Sequence, residues 1–129
     1  MFKLQKRVIR AMIGVNTTTS FRQFFKELNI LTLASLYILE LSCFIKKYCQ
    51  SLVFSADVHN YNTRRKMDIH IQSYRTNLYK NSVINMGTKI YNKLPEYVKG
   101  IDSYKFFKKA LKSFLLCNTF YSVEEYLST

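Results

Sequence analysis

Thr32-Leu33-Ala34-Ser35-Leu36-Tyr37-Ile38-Leu39-Glu40-Leu41-Ser42-Cys43-Phe44-Ile45-Lys46-Lys47-Tyr48 is the stretch whose periodicity decides the fold class. It holds neither Gly nor Pro. Laid out at about 100° per residue and continued to Leu52, it places Leu33, Ala34, Tyr37, Ile38, Leu41, Phe44, Ile45, Tyr48, Cys49 and Leu52 on one wide face, with Glu40, Lys46, Lys47 and Gln50 on the other. The spacing predicts a long amphipathic helix from Thr32 to about Leu52 that packs into a core. Its most apolar run, Leu31 to Ile45, is broken by Thr32, Ser35, Glu40 and Ser42 and falls short of the ~20 residues that cross a bilayer, so no membrane contact is expected.

Upstream of this helix, Leu4, Val8, Ile9, Met12 and Ile13 recur at helical spacing among Lys3, Lys6, Arg7 and Arg10, which predicts a helix over 2–15. Its abrupt start is the expectation of a chain in which Met1 is internal to a longer parent. Asn16 to Ser20 reads as a polar linker, and Ser20 with Gln23 as a capping box for a short helix ending near Leu28. Downstream, residues 53–81 lose helical periodicity and read as a basic loop or extended arm, with a short strand over Met67 to Ile71. Helical character returns over Asn85 to Leu94. Pro95 suits the first turn of a further short helix that Gly100 ends. Asp102 or Ser103 then caps a helix whose Tyr104, Phe107, Ala110, Leu111, Phe114 and Leu115 lie opposite Lys105, Lys108, Lys109 and Lys112, and Ser122 with Glu125 caps a last one through Leu127. The expected architecture is mainly α: a small helical domain of about five to six helices with an irregular or short-strand arm in its middle. Its parts are 1–52, 53–81 and 82–129, together one compact domain.

Composition agrees with this and narrows the chemistry. Across 129 residues, 48% hydrophobic content is enough for one core, and three Gly with one Pro favour long regular elements. The formal charge is +12, and residues 59–112 hold twelve Lys or Arg against Asp68, Glu96 and Asp102. A field of that sign draws polyanions by counterion release, nucleic acid first among them. Three cysteines, Cys43, Cys49 and Cys117, form no disulfide pattern and follow no signal peptide, so an intracellular location, nucleus or cytoplasm, is expected rather than secretion.

Catalytic machinery is not expected. Cys43, Cys49, Cys117, His59 and His70 are scattered without zinc spacing, Gly14, Gly87 and Gly100 are too far apart to cradle phosphate, and no Asp-Asp pair exists for two-metal chemistry. No cofactor is expected either. What remains is His59-Asn60-Tyr61-Asn62-Thr63-Arg64-Arg65-Lys66, in which Arg and Lys can grip phosphates, Tyr61 can stack, and His59 and Thr63 can hydrogen-bond sugar or base edges. A solvated basic loop is the competing reading. The row Lys105, Lys108, Lys109 and Lys112 is a second candidate surface, though a charged outer face is ordinary for an amphipathic helix.

The order of short motifs resembles the C-terminal region of jockey-type non-LTR retrotransposon reverse transcriptases over nearly the whole chain. The residues that carry the resemblance are Leu4 to Arg10, Phe24 to Leu33, His59-Asn60-Tyr61-Asn62-Thr63-Arg64, Gly87 to Pro95, Phe106 to Lys112 and Phe120 to Leu127. The resemblance implies helices in and beyond the thumb that help hold template RNA and target or nascent DNA, with His59, Tyr61, Thr63 and Arg64 as contact positions. It also implies the rest of the polyprotein as a partner. The family's RNA-directed DNA polymerase activity does not carry over, because the paired catalytic aspartates lie upstream in full members and are absent here. The expected function is thus binding of RNA or DNA through phosphate contacts, without catalysis. The alternatives are a protein-docking module of the missing polymerase and a non-functional relic of a truncated element.

Overall fold

The first helix, α1 (Phe2–Ile13), buries Ile9 and packs Phe2 and Ile13 around it, then stops at Gly14, whose left-handed backbone (φ 71°) returns its N–H to the Arg10 carbonyl at 2.8 Å. The computed structural model of the protein describes residues 1–14, 20–58, 60–65 and 67–129. Within these the chain is mainly helical. After α1 come α2 (Arg22–Glu27), α3 (Leu33–Tyr48) with a 3₁₀ turn at Cys49–Ser51, α4 (Ser55–Val58), α5 (Asn77–Lys80), α6 (Val83–Asn92), α7 (Glu96–Lys99), α8 (Tyr104–Asn118) and α9 (Val123–Ser128). The expected mainly α class is observed. Among its described residues the expected arm contains two single-turn helices and one antiparallel bridge, Phe54 with Ile69.

The chain forms two compact units. The first comprises residues 1–39 and 109–129, the second residues 40–108. In the first, Ile9, Phe21 and Phe25 are buried with Phe24, Ile30 and Tyr121 packed against them. The Gln5 carboxamide links α1 to the start of α3: Nε2 donates to the Leu31 carbonyl at 2.8 Å and Oε1 accepts the Leu33 N–H at 3.1 Å. Buried Thr32 caps α3, its hydroxyl accepting the Ser35 N–H at 3.1 Å and donating to the Phe120 carbonyl. Arg22 reaches the carbonyls of Asn118 and Thr119 at 3.5 and 3.3 Å, where α8 ends, and pairs with Glu125 of α9 at 2.7 Å. In the second unit, Leu41, Cys43, Ile45, Ile90, Tyr91, Leu94, Val98 and Phe107 are buried. Gly87 lets α6 lie so close to α3 that a Cβ there would stand 2.9 Å from Ile45 Cγ1.

Two local expectations are corrected. The Ser20–Gln23 capping box does not form: α2 starts after Phe21, with no side-chain cap, and the Gln23 amide donates to the Glu27 carboxylate at 2.9 Å. Phe21 is buried at that point, so ring burial and not a hydroxyl sets the start. The apolar stripe of α3 is also rotated. Leu33, Tyr37, Phe44 and Tyr48 are exposed, while Ser35, Ile38, Leu39, Leu41, Ser42, Cys43 and Ile45 are buried. Three of the four residues that interrupt the hydropathy pattern, Thr32, Ser35 and Ser42, are thus inside, where a small side chain permits close packing that a large apolar one would prevent.

Candidate nucleic-acid interface

A cleft of about 700 Å³ opens in the second unit, lined by the turn carrying Arg64 and Arg65, by Asp68 to Ile71, and by α6 and α7. Its floor is held by one side chain. Ser55 N–H donates to the Asp68 carbonyl at 2.9 Å and His70 N–H to the Val53 carbonyl at 2.8 Å, so within this antiparallel bridge the N–H and C=O of Ile69 turn away from Phe54. Asn92 of α6 meets both: its Oδ1 accepts the Ile69 N–H at 3.0 Å and its Nδ2 donates to the Ile69 carbonyl at 2.9 Å. A carboxamide here takes the place of a neighbouring strand. Leu94 is buried beyond it, and Pro95 precedes α7, which Gly100 ends as the sequence predicts.

Charge in the cleft is unevenly matched. Lys99 engages both acids that line it, Asp68 at 3.6 Å and Glu96 at 3.0 Å, and also donates to the Asn92 carbonyl at 3.3 Å. Arg64, Arg65, Lys89 and Lys93 are left with no carboxylate partner among the described residues. The Lys89 ammonium lies 5.1 Å from the centroid of the Tyr74 ring. The cleft wall carries five cations against two carboxylates, a net charge of +3 that attracts phosphate.

Of the contact positions expected from sequence, Arg64 and Arg65 line the cleft, Thr63 is exposed beside them, and Tyr61 is 80% exposed. His59 and Lys66 lie outside the described residues. Lys105, Lys108, Lys109 and Lys112 are all exposed, but none lines the cleft, and Lys108 pairs with Glu40 at 3.7 Å. Lys89 and Lys93 were not singled out by the sequence reading. They lie a helical turn apart in Lys89-Ile90-Tyr91-Asn92-Lys93, and that i, i+4 spacing around the Asn-Lys-Leu-Pro motif was the available signal.

Cys43 is buried and burial pushes its thiol pKa up, the direction of an inert thiol and not of a nucleophile. Among the described residues no group of three His, Cys, Asp or Glu side chains could hold a metal ion, and no helix is long and apolar enough to cross a membrane. Comparison with family models, curated proteins and solved structures finds no match.

Proposed function

We propose that the chain is a nucleic-acid-holding C-terminal region of a non-LTR retrotransposon reverse transcriptase, with its contact surface in the cleft of the second unit. The observation that carries this reading is that Arg64, Arg65, Lys89 and Lys93 line the cleft without a carboxylate partner among the described residues. The motif order that resembles jockey-type elements supports the family part of it. No acid, base or nucleophile is assigned a step, so the role is to hold RNA or DNA by its phosphates with slight sequence preference.

Fluorescence anisotropy against labelled RNA and DNA across a salt series tests it. Affinity is expected to fall steeply with salt. Replacing all four cations with Ala is expected to weaken binding alike on every sequence and to flatten the log–log slope by about 3 for a single strand. Unchanged affinity and slope in that variant refute the assignment.

A second reading, a module that docks on other protein, is favoured by one observation. In the first unit Leu4, Val8 and Met12 form an exposed stripe along α1, and Leu33, Leu36 and Tyr37 are exposed at the start of α3, beside the Gln5 bridge. Sedimentation of the isolated chain separates the two: concentration-dependent self-association that Leu4→Glu with Val8→Glu abolishes favours docking.

A further inference from the structure

Resting on the nucleic-acid reading of the same cleft, we infer that its ligand is an unpaired strand, with phosphates on Arg64, Arg65, Lys89 and Lys93 and bases stacked on Tyr61 and Tyr74. Two exposed aromatic rings accompany these cations, Tyr61 by its place in the chain and Tyr74 by contact. Tyr61 is 80% exposed on the turn closed by the Thr63 N–H to the Tyr61 carbonyl at 2.9 Å, three residues before Arg64. Tyr74 is 40% exposed and is tied to the wall by the Lys89 ammonium 5.1 Å from its ring centroid. Large ring faces left in water beside phosphate-binding cations suit a base that brings its own uncovered π-face.

Geometry separates a strand from a duplex. In a double helix each base is covered by its neighbours above and below, so Tyr61 and Tyr74 gain nothing from it except at an end. The four cations also line a concave cleft of about 700 Å³. A double helix is a convex rod that meets only the rim of such a cleft, whereas a flexible single strand can enter and bring successive phosphates to the wall while its bases turn outward to the rings.

The test uses the full chain and three labelled probes at low and moderate salt: an oligothymidylate of about 15 nucleotides, an abasic strand with the same number of phosphates, and a hairpin duplex of matched charge. The oligothymidylate is expected to bind at least about tenfold tighter than either control, since stacking contributes about 5- to 150-fold per base. Tyr61→Ala and Tyr74→Ala are each expected to weaken it by a factor in that range, while Tyr61→Phe, which keeps the ring, retains affinity. Tyr61 is too exposed for its removal to unfold the chain, and circular dichroism verifies this. Equal binding of the abasic strand, tighter binding of the duplex, or silent tyrosine variants overturn the inference while salt-dependent binding leaves the nucleic-acid reading standing. No binding of any probe at low salt overturns both.

Discussion

Replacing Asn92 removes one carboxamide and strands two backbone groups. Ile69 is 2% exposed, and its N–H and C=O face Asn92 because the bridge to Phe54 uses the bonds of Asp68 and His70 instead. A buried backbone group deprived of its partner costs about 1–3 kcal/mol. Two such groups in Asn92→Ala, with some relief from water because Asn92 is itself only part-buried, cost the second unit about 2–4 kcal/mol. With a urea slope of about 2 kcal/mol per M, the unfolding midpoint falls by about 1–2 M. Asn92→Asp is the sharper variant. It conserves volume and still accepts the Ile69 N–H, but turns a carboxylate oxygen on the Ile69 carbonyl, so it is expected to destabilise at least as much as Ala. Amide exchange at Ile69 and His70 should accelerate in both variants. Urea midpoints of both variants within about 0.5 kcal/mol of the parent chain, a size typical of surface changes, would refute the account of Asn92 as a substitute strand.

Three other outcomes follow from particular contacts. Ser42 is fully buried and its hydroxyl has no hydrogen-bond partner among the described residues, so Ser42→Ala is expected to stabilise by about 1 kcal/mol, read as a higher thermal midpoint. A clear loss would show the hydroxyl to be bonded. Gly87→Ala gains about 1 kcal/mol of helix propensity but drives its Cβ against fully buried Ile45, an overpacking that costs about 1–3 kcal/mol; a net loss is expected, and the double variant with Ile45→Ala should lose less than the sum of the single changes. The Tyr121 N–H, then the Arg22 guanidinium, hold the Glu125 carboxyl below its ordinary range. A lowered folded-state value means that this contribution is present above the unfolded carboxyl pKa and is lost as pH falls through the folded one. Glu125→Gln should therefore flatten the decline in stability below about pH 4, and an unaltered acid limb in urea titrations would count against it.

Much of the helical plan was legible because its causes are local. The Tyr104 to Asn118 helix keeps Phe107, Leu111 and Leu115 on its buried side, as their spacing requires. The Ser122 hydroxyl accepts the Glu125 N–H at 3.0 Å as a capping serine should, although the Glu125 carboxylate reaches back one residue further, to the Tyr121 N–H at 2.9 Å. The orientation of α3 was not legible, because hydropathy counts Ser35 and Ser42 as surface residues whereas close packing uses their small size. In the candidate site Arg64 and Arg65 are consecutive and need no fold to bring them together, but Asn92 and Ile69 stand 23 residues apart and no periodicity links them. Lys89 and Lys93 carried the signal of their i, i+4 spacing, but nothing in the sequence tied them to the arm that the Asn92 carboxamide holds.

The first unit is assembled from residues 1–39 and 109–129, and the second from the uninterrupted stretch between them. During synthesis on a ribosome the second unit is therefore complete in sequence, its Asn92–Ile69 bonds and cleft cations included, while the first still waits for Arg22 and Thr32 to meet Glu125 and Phe120. Closing so long a loop adds only a slowly growing entropic cost, but it leaves Ile9, Phe21 and Phe25 short of the packed Tyr121 until residues 109–129 have been made. A nascent chain stalled before Tyr121 would carry an apolar amino-terminal segment without its lid, the state in which a chaperone has most to hold.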